Sequence, residues 1–267
     1  MANAIIIYTG TDKYKESRNL MGYAVSENPN DWQPTPPSFM PPIEPNWNTI
    51  RPMVLDSASQ FKPAPPTPYN MNKNSQFYKE LMVVYNTVNN LTEEQGAIAE
   101  FWDCNPFAVE MRGHLAETTK KISPGGHWMG IARMASEQSD ATLMKSAEAY
   151  MATSLALFDG FISCWDEKYR SNLIRPETVI NSRAVEGETE VIDLNWKPIL
   201  QTPPFPEYTS GHSVISATSA VALTTVFGDN FAYKDSVEVA YGLPVRSYKS
   251  FIEASEEAAI SRLYGGI

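Results

Sequence analysis

Three short segments of this chain carry residue types that can do chemistry together. Lys168 and Arg175 stand seven apart, with Pro176 directly after. Tyr208-Thr209-Ser210-Gly211-His212 forms the second segment, and Ser261-Arg262, five residues before Ile267, the third. A tetrahedral oxyanion needs several fixed cations and N–H donors converging on its oxygens, plus a group able to move a proton. The three segments supply three cations, a serine hydroxyl, a glycine and a histidine.

Each segment also has a plainer reading. Lys168 and Arg175 could be two solvated surface charges, the usual fate of these residues. Arg262 alone is an ordinary cation near a helix C-terminus, where it faces the dipole. The Ser210-Gly211-His212 run favours chemistry more strongly. If a helix starts there, Gly211 lets backbone approach a ligand, and the first N–H groups are free donors for an anion. His212 is the candidate proton carrier near neutral pH, although it could simply bond backbone at a helix start.

Helical elements must position these residues. Phe77, Leu81, Val84, Tyr85 and Val88 recur at three- and four-residue steps, so a helix is predicted over 76–91. Thr92-Glu93-Glu94-Gln95 is a capping box that opens another, running to about Asp103. From Asp140 to Tyr169 one apolar face holds Leu143, Ala147, Met151, Leu155, Phe158, Ile162 and Trp165 without an interrupting proline. That predicts a single helix of about thirty residues, long enough to cross a domain. It ends beside Lys168, and Arg175 falls in the turn that Pro176 keeps out of α geometry. A small-residue helix is expected over 210–227 with a stop at Gly228, and Ser250-Phe251-Ile252-Glu253 opens a last helix through Arg262.

Twelve of the twenty prolines lie between Pro29 and Pro68. Proline fixes φ and removes donors, so this stretch is expected as extended coil. Its aromatics, Trp32, Phe39, Trp47 and Phe61, point to a strap lying on the core rather than a free linker. Only Glu190–Leu194 resembles a strand. The expected fold is therefore all-α: one helical unit over 1–267, with the strap at about 29–68 and a helical core over about 76–267.

A formal net charge of −10 argues against nucleic acid or an anionic membrane as partner, and requires any anion pocket to be local and enclosed. No run of about twenty apolar residues is present to span a bilayer. The first residues lack the basic and apolar regions of a secretory signal and read like mid-helix sequence behind a methionine, so a removed signal stays open. Cys104 and Cys164, the only cysteines, make no disulfide framework and read as small buried hydrophobes. His114 and His127 have Asp103 and Glu110 near in sequence, but no pair has metal-ligand spacing, so no metal is assigned. His127, in the Gly125-Gly126 stretch, is expected in a turn on a pocket wall. Asp166-Glu167, next to Lys168, could be a carboxylate pair for acid–base work, but read rather as a solvated helix end.

Taken together, the three segments resemble the signature of the superfamily joining type 2 phosphatidic acid phosphatases, bacterial acid phosphatases and vanadium-dependent haloperoxidases. That signature reads K-x6-R-P, then P-S-G-H, then S-R-x5-H. Lys168 to Pro176 meet the first part, Ser210 to His212 the second with Thr209 in place of proline, and Ser261-Arg262 the third. The final histidine would stand one position after Ile267. In the family that group attacks phosphorus or coordinates vanadium. A cut chain, inactive by itself and active when intact, is therefore the expectation.

Trp165, three before Lys168, and Phe205-Pro206-Glu207-Tyr208 are similar to the soluble haloperoxidase branch. The resemblance implies that Lys168, Arg175 and Arg262 neutralise vanadate, or phosphate in its place, with Ser210 and Gly211 donating further bonds. His212 would move a proton, and Trp165 and Phe205 would line the halide side. It implies halide oxidation by hydrogen peroxide with a small-molecule substrate. Acid phosphatase chemistry and a non-catalytic phosphate-binding module are the alternatives. A homodimer and an exported, periplasmic setting belong to the same expectation.

Overall fold

The computed structural model describes residues 2–20, 22–106, 108–112, 115–118 and 121–267. His114 and the side chain of Glu110 lie outside what is described. Nine α-helices occur among these residues. The first two, α1 (Ala2–Thr9) and α2 (Tyr14–Ser17), precede the proline-rich stretch. After it come α3 (Gln76–Asn89), α4 (Glu93–Phe101), α5 (Pro124–Gln138), α6 (Leu143–Ser171), α7 (Pro176–Ser182), α8 (Gly211–Phe227) and α9 (Phe251–Gly265). The architecture is an all-α helical bundle. None of its helices among the described residues is long and apolar enough to cross a membrane.

Caps fix the helix starts. Thr92 and Gln95 close the anticipated capping box at α4. Ser210 Oγ accepts from Ser213 N at α8, and Ser250 Oγ from Glu253 N at α9. Gly266 ends α9 at φ 80°, a left-handed conformation that suits glycine.

The 29-residue α6 is the central rod. It packs on α8, α8 packs on α9, and α4 and α5 close the sides. Their shared core contains Trp102, Trp128, Ile131, Ile215, Leu223 and Phe251, each essentially inaccessible. Inside it Trp128 Nε1 donates to Ser216 Oγ at 2.9 Å, satisfying a buried polar pair. A second cluster joins Phe77 and Leu81 of α3 to Val179 and Ile180 of α7, with Ile174 and Trp196.

Residues 29–68 hold no α-helix or strand: extended pieces alternate with turns at 36–39 and 58–61 and one 3-10 turn, Trp47–Thr49. Trp32 is fully buried and its N–H donates to Asn172 O at the end of α6. Asp159 of α6 accepts N–H bonds from Met53, Val54 and Leu55 at 2.7–2.9 Å. Phe39 and Phe61, by contrast, point outward and anchor nothing.

Three local readings differ from the structure. The Gly125-Gly126 stretch is not a turn: Ser123 caps it, Pro124 fits the first helical position, and the buried face of Trp128, Ile131 and Ala135 carries α5 through both glycines. The 190–194 stretch is not a strand and makes only an isolated bridge, Ala184 to Val191. Among the described residues, strands appear instead as two antiparallel ribbons. One is β1 (Val109–Arg112) with β2 (Leu115–Thr118), the other β3 (Tyr233–Asp235) with β4 (Arg246–Tyr248), in which Tyr233 faces Tyr248.

Candidate functional site

A cavity of about 550 Å³ opens where the end of α6, the start of α8 and the end of α9 meet. Trp165, Lys168, Arg175, Phe205, Ser210, Gly211, His212 and Arg262 all line it, as does Ile267. Packing of α8 against both α6 and α9 thus brings three distant segments to one wall.

Lys168, Arg175 and Arg262 are 1%, 3% and 7% exposed, and among the described residues none of them forms an ion pair. Their hydrogens go to carbonyls and a hydroxyl instead. Lys168 Nζ donates to Pro206 O (2.9 Å) and Glu207 O (2.8 Å), Arg175 Nε to Phe205 O (2.8 Å), and Arg262 Nη2 to Trp102 O (2.6 Å). Arg262 Nε also donates to the Ser261 hydroxyl at 3.0 Å. Arg175 Nη2 is buried with no partner among the described residues, and so is His212 Nε2.

Buried charge without a counter-ion is costly. Burial, reinforced by neighbouring Arg175, lowers the Lys168 pKa to about 7. Burial likewise lowers Arg175 and Arg262 to about 10 each. Burial, and then the Arg262 charge, pushes His212 well below the ordinary histidine value, so its ring is neutral near pH 7. Three acidic residues share the cavity wall. Asp103 pairs with Lys121 and Glu44 with Arg18, while burial raises the pKa of Glu207.

The start of α8 is equally unsatisfied. The N–H groups of Gly211 and His212 find no acceptor among the described residues. Ser210 Oγ accepts from Ser213 N and from the Ser213 hydroxyl at 2.9 Å, which leaves its own hydrogen to donate. A side chain at Gly211 would sit 3.6 Å from the Trp165 ring and 3.9 Å from Lys168 Cε, on the cavity wall itself. A tetrahedral, multiply charged oxyanion such as vanadate or phosphate fits this donor set: cations, orphaned N–H groups and one hydroxyl, at a helix N-terminus.

Phe205 and Trp165 form the apolar side, 4.9 Å apart, with Trp47 tilted 4.9 Å from Trp165 and Phe161 beside both. Trp47 and Phe161 were missed in the sequence. Phe161 lies one turn before Trp165, a spacing that could have flagged it.

His127 is not on this wall. It sits inside α5, fully buried, with Nε2 2.8 Å from Asp235 Oδ2 and Nδ1 2.8 Å from Glu238 Oε1. Its ring stacks on Trp102 at 4.6 Å. Burial opposes charge on the ring, but bonds to Asp235, Cys104 and Glu238 more than offset it, so its pKa lies well above the ordinary value. Cys104 is buried as expected yet is more than a small hydrophobe: its Sγ lies 3.4 Å from His127 Nδ1 and 3.6 Å from Glu238 Oε1. No local spacing could reveal this cluster, since its members lie at 104, 127, 235 and 238. Asp166 and Glu167 both pair with Arg170, and Glu167 is buried rather than solvated.

Residues 148–267 match the family model described as the VCPO second helical-bundle domain. The chain is similar to a crystal structure of the first bacterial vanadium-dependent iodoperoxidase, with 53% identity and a TM-score of 0.91, covering 100% of this chain and 61% of that one. Apo and holo bacterial vanadium-dependent chloroperoxidase structures are 21% and 20% identical, with TM-scores of 0.63 and 0.61. They cover 91% and 92% of this chain and 58% and 59% of their own, and at that identity they show the fold alone. The chain therefore spans about three fifths of the length of these structures. No curated protein matches it.

Proposed function

From a vanadium-dependent haloperoxidase-like fold, closely related to the bacterial enzymes, we propose that the cavity holds vanadate and serves the oxidation of halide by hydrogen peroxide. The observation that carries this reading is the set of three buried cations with no carboxylate ion pair among the described residues, facing one cavity together with the open N–H groups of α8.

Lys168, Arg175 and Arg262 neutralise the oxyanion. The N–H groups of Gly211 and His212 and the Ser210 hydroxyl orient its oxygens. Vanadate, when bound, supplies a Lewis-acid centre that activates peroxide toward attack by halide. His212, neutral and with Nε2 free, takes up a proton from the incoming oxidant and returns it to the leaving oxygen. Trp165 and Phe205 exclude water from the halide side. Iodide is the halide proposed, because the relative at 53% identity is an iodoperoxidase. A homodimer and an exported, periplasmic setting complete the reading and rest on the resemblance alone.

The signature's final histidine is not among these 267 residues, and Ile267 lies on the cavity wall. The test therefore uses two proteins, the chain itself and the chain with one histidine appended after Ile267. Vanadate is titrated into both by calorimetry. Iodination of a dye by peroxide is then assayed with and without vanadate, beside release of phosphate from a generic monoester. Both proteins are expected to bind vanadate, with iodination supported in the extended one. Phosphate release that vanadate only inhibits would favour the phosphatase alternative. Binding without turnover of either kind in both proteins would favour the phosphate-binding module.

A further inference from the structure

One cluster lies beside the anion cavity and shares only Cys104 with its wall. Cys104 Sγ, His127 Nδ1 and Glu238 Oε1 lie within 4.8 Å of one another, all in buried residues. They come from the segment after α4, from α5 and from the 3-10 helix Val237–Tyr241. We propose that these three side chains form a divalent transition-metal site, of zinc type, separate from the oxyanion cage.

The geometry suits a soft, tetrahedral ion. Thiolate, imidazole and carboxylate ligands on zinc stand about 3.3–3.6 Å apart when bond lengths are about 2.0–2.3 Å and the angles tetrahedral. Sγ–Nδ1 and Sγ–Oε1 are already 3.4 and 3.6 Å. Nδ1–Oε1, at 2.8 Å, must open by roughly half an ångström to reach that range.

The outer shell fits as well. A metal-bound histidine donates its other N–H to a carboxylate, which orients the ring and strengthens it as a ligand. His127 Nε2 meets Asp235 Oδ2 at 2.8 Å, and Asp235 is itself fully buried, held by the N–H of Val237 through Oδ1. A fourth position is open too. Cys104 and Glu238 line a second cavity of about 760 Å³ with Asp103, whose Oδ1 is buried and has no partner among the described residues. The charge balance is opposite to that of the cage: a thiol and three carboxyl groups around one imidazole attract a cation and repel vanadate.

In the free protein a proton at Nδ1 fills the space between imidazole and carboxylate. A metal would displace that proton and the thiol proton, releasing both to solvent. The consequence reaches the cage. Trp102, two residues before Cys104, presents the carbonyl that holds Arg262, so a metal at Cys104 would pin the backbone on which that arginine rests.

Cobalt(II) is the probe, because thiolate ligation gives it an intense near-ultraviolet charge-transfer absorption. The chain is treated with a chelator, freed of it and titrated with Co²⁺ without vanadate. One equivalent is expected to bind with that absorption, and Zn²⁺ is expected to bleach it. Cys104→Ser should abolish the band, whereas Cys164→Ser should keep it. Asp235→Asn should weaken affinity about ten- to a hundredfold. Should Cys104→Ser not fold, zinc-edge X-ray absorption of the unaltered chain reads one sulphur among nitrogen and oxygen neighbours. No charge-transfer band at saturating Co²⁺, a band that survives Cys104→Ser, or a zinc shell without sulphur overturns the proposal.

Discussion

The Lys168 ammonium stands 4.8 Å from the centroid of the Phe205 ring. Arg175 approaches the same ring at 5.1 Å and donates to the Phe205 carbonyl. Segment 205–207 thus runs between two cations, its carbonyls taking their hydrogens and its ring meeting their charge. Phe205→Leu keeps apolar volume but removes the ring quadrupole, and should cost about 1 kcal/mol of stability for the two contacts. Phe205→Ala also loses packing on Trp165 and should cost about 2–3 kcal/mol, with weaker vanadate binding. Urea unfolding and vanadate titration measure both, and a leucine variant equal to the parent in each would remove the cation–π account.

Anion binding should depend on each arginine. Arg175→Ala or Arg262→Ala should weaken vanadate or phosphate affinity by about 1–3 kcal/mol, the loss of a charge-assisted bond. Calorimetric titration reads this directly. Unchanged affinity in both variants would place the anion elsewhere.

Lys168 gives a pH signature. Its folded pKa is about 7 against an ordinary 10.5, so between those values the unfolded chain holds a proton that the folded lysine has released. Stability without anion should therefore rise with pH across that window, by an amount on the order of a few kcal/mol. The cost of the buried charge is full below about 7. Lys168→Met should flatten the rise and stabilise the anion-free protein near pH 7. Vanadate affinity should fall above about pH 7 in the parent more steeply than in the variant. Unfolding curves at several pH values settle the slope, and a parent with no rise would contradict it.

Gly211 separates binding from stability. A methyl there meets only ordinary contacts, at 3.6 Å from Trp165 and 3.9 Å from Lys168, so Gly211→Ala should leave the melting temperature nearly unchanged. The methyl stands where the anion must approach the α8 N–H groups, so affinity should drop about tenfold or more. A variant that binds as the parent does would mean the oxyanion lies away from this helix start.

Asp159 holds the proline-rich stretch to α6 through three N–H bonds. Asp159→Ala leaves those donors without their acceptor and should cost about 3 kcal/mol. Faster amide exchange at residues 53–55 should accompany the loss. Unchanged exchange there would show that the stretch is held by other contacts.

Much of the scaffold was legible because local rules decide it. The capping box at Thr92, the serine cap at Ser250, the unbroken apolar face of α6 and the proline density of 29–68 each act over a few residues, and each appears where local physics puts it; at Ser250 the Glu253 carboxylate reaches Lys249 N instead of closing a box. Where local signals conflicted, packing decided. Two glycines suggested a turn at 125–126, but a Ser-Pro start and the buried Trp128 face made a helix and drew His127 into the interior. The short ribbon of β3 and β4 rests on cross-strand contacts such as Tyr233 with Tyr248, invisible to a window that reads one strand at a time.

By itself the sequence determined which residues could bind an oxyanion, since charge, hydroxyl and glycine at a helix start are properties of residue type and short spacing. Only the tertiary structure decided that Lys168, Arg175 and Arg262 face one cavity, because that follows from α8 lying against both α6 and α9. It alone also joined Cys104, His127, Asp235 and Glu238 beside that cavity, since residues more than a hundred positions apart meet only when separate elements share a core.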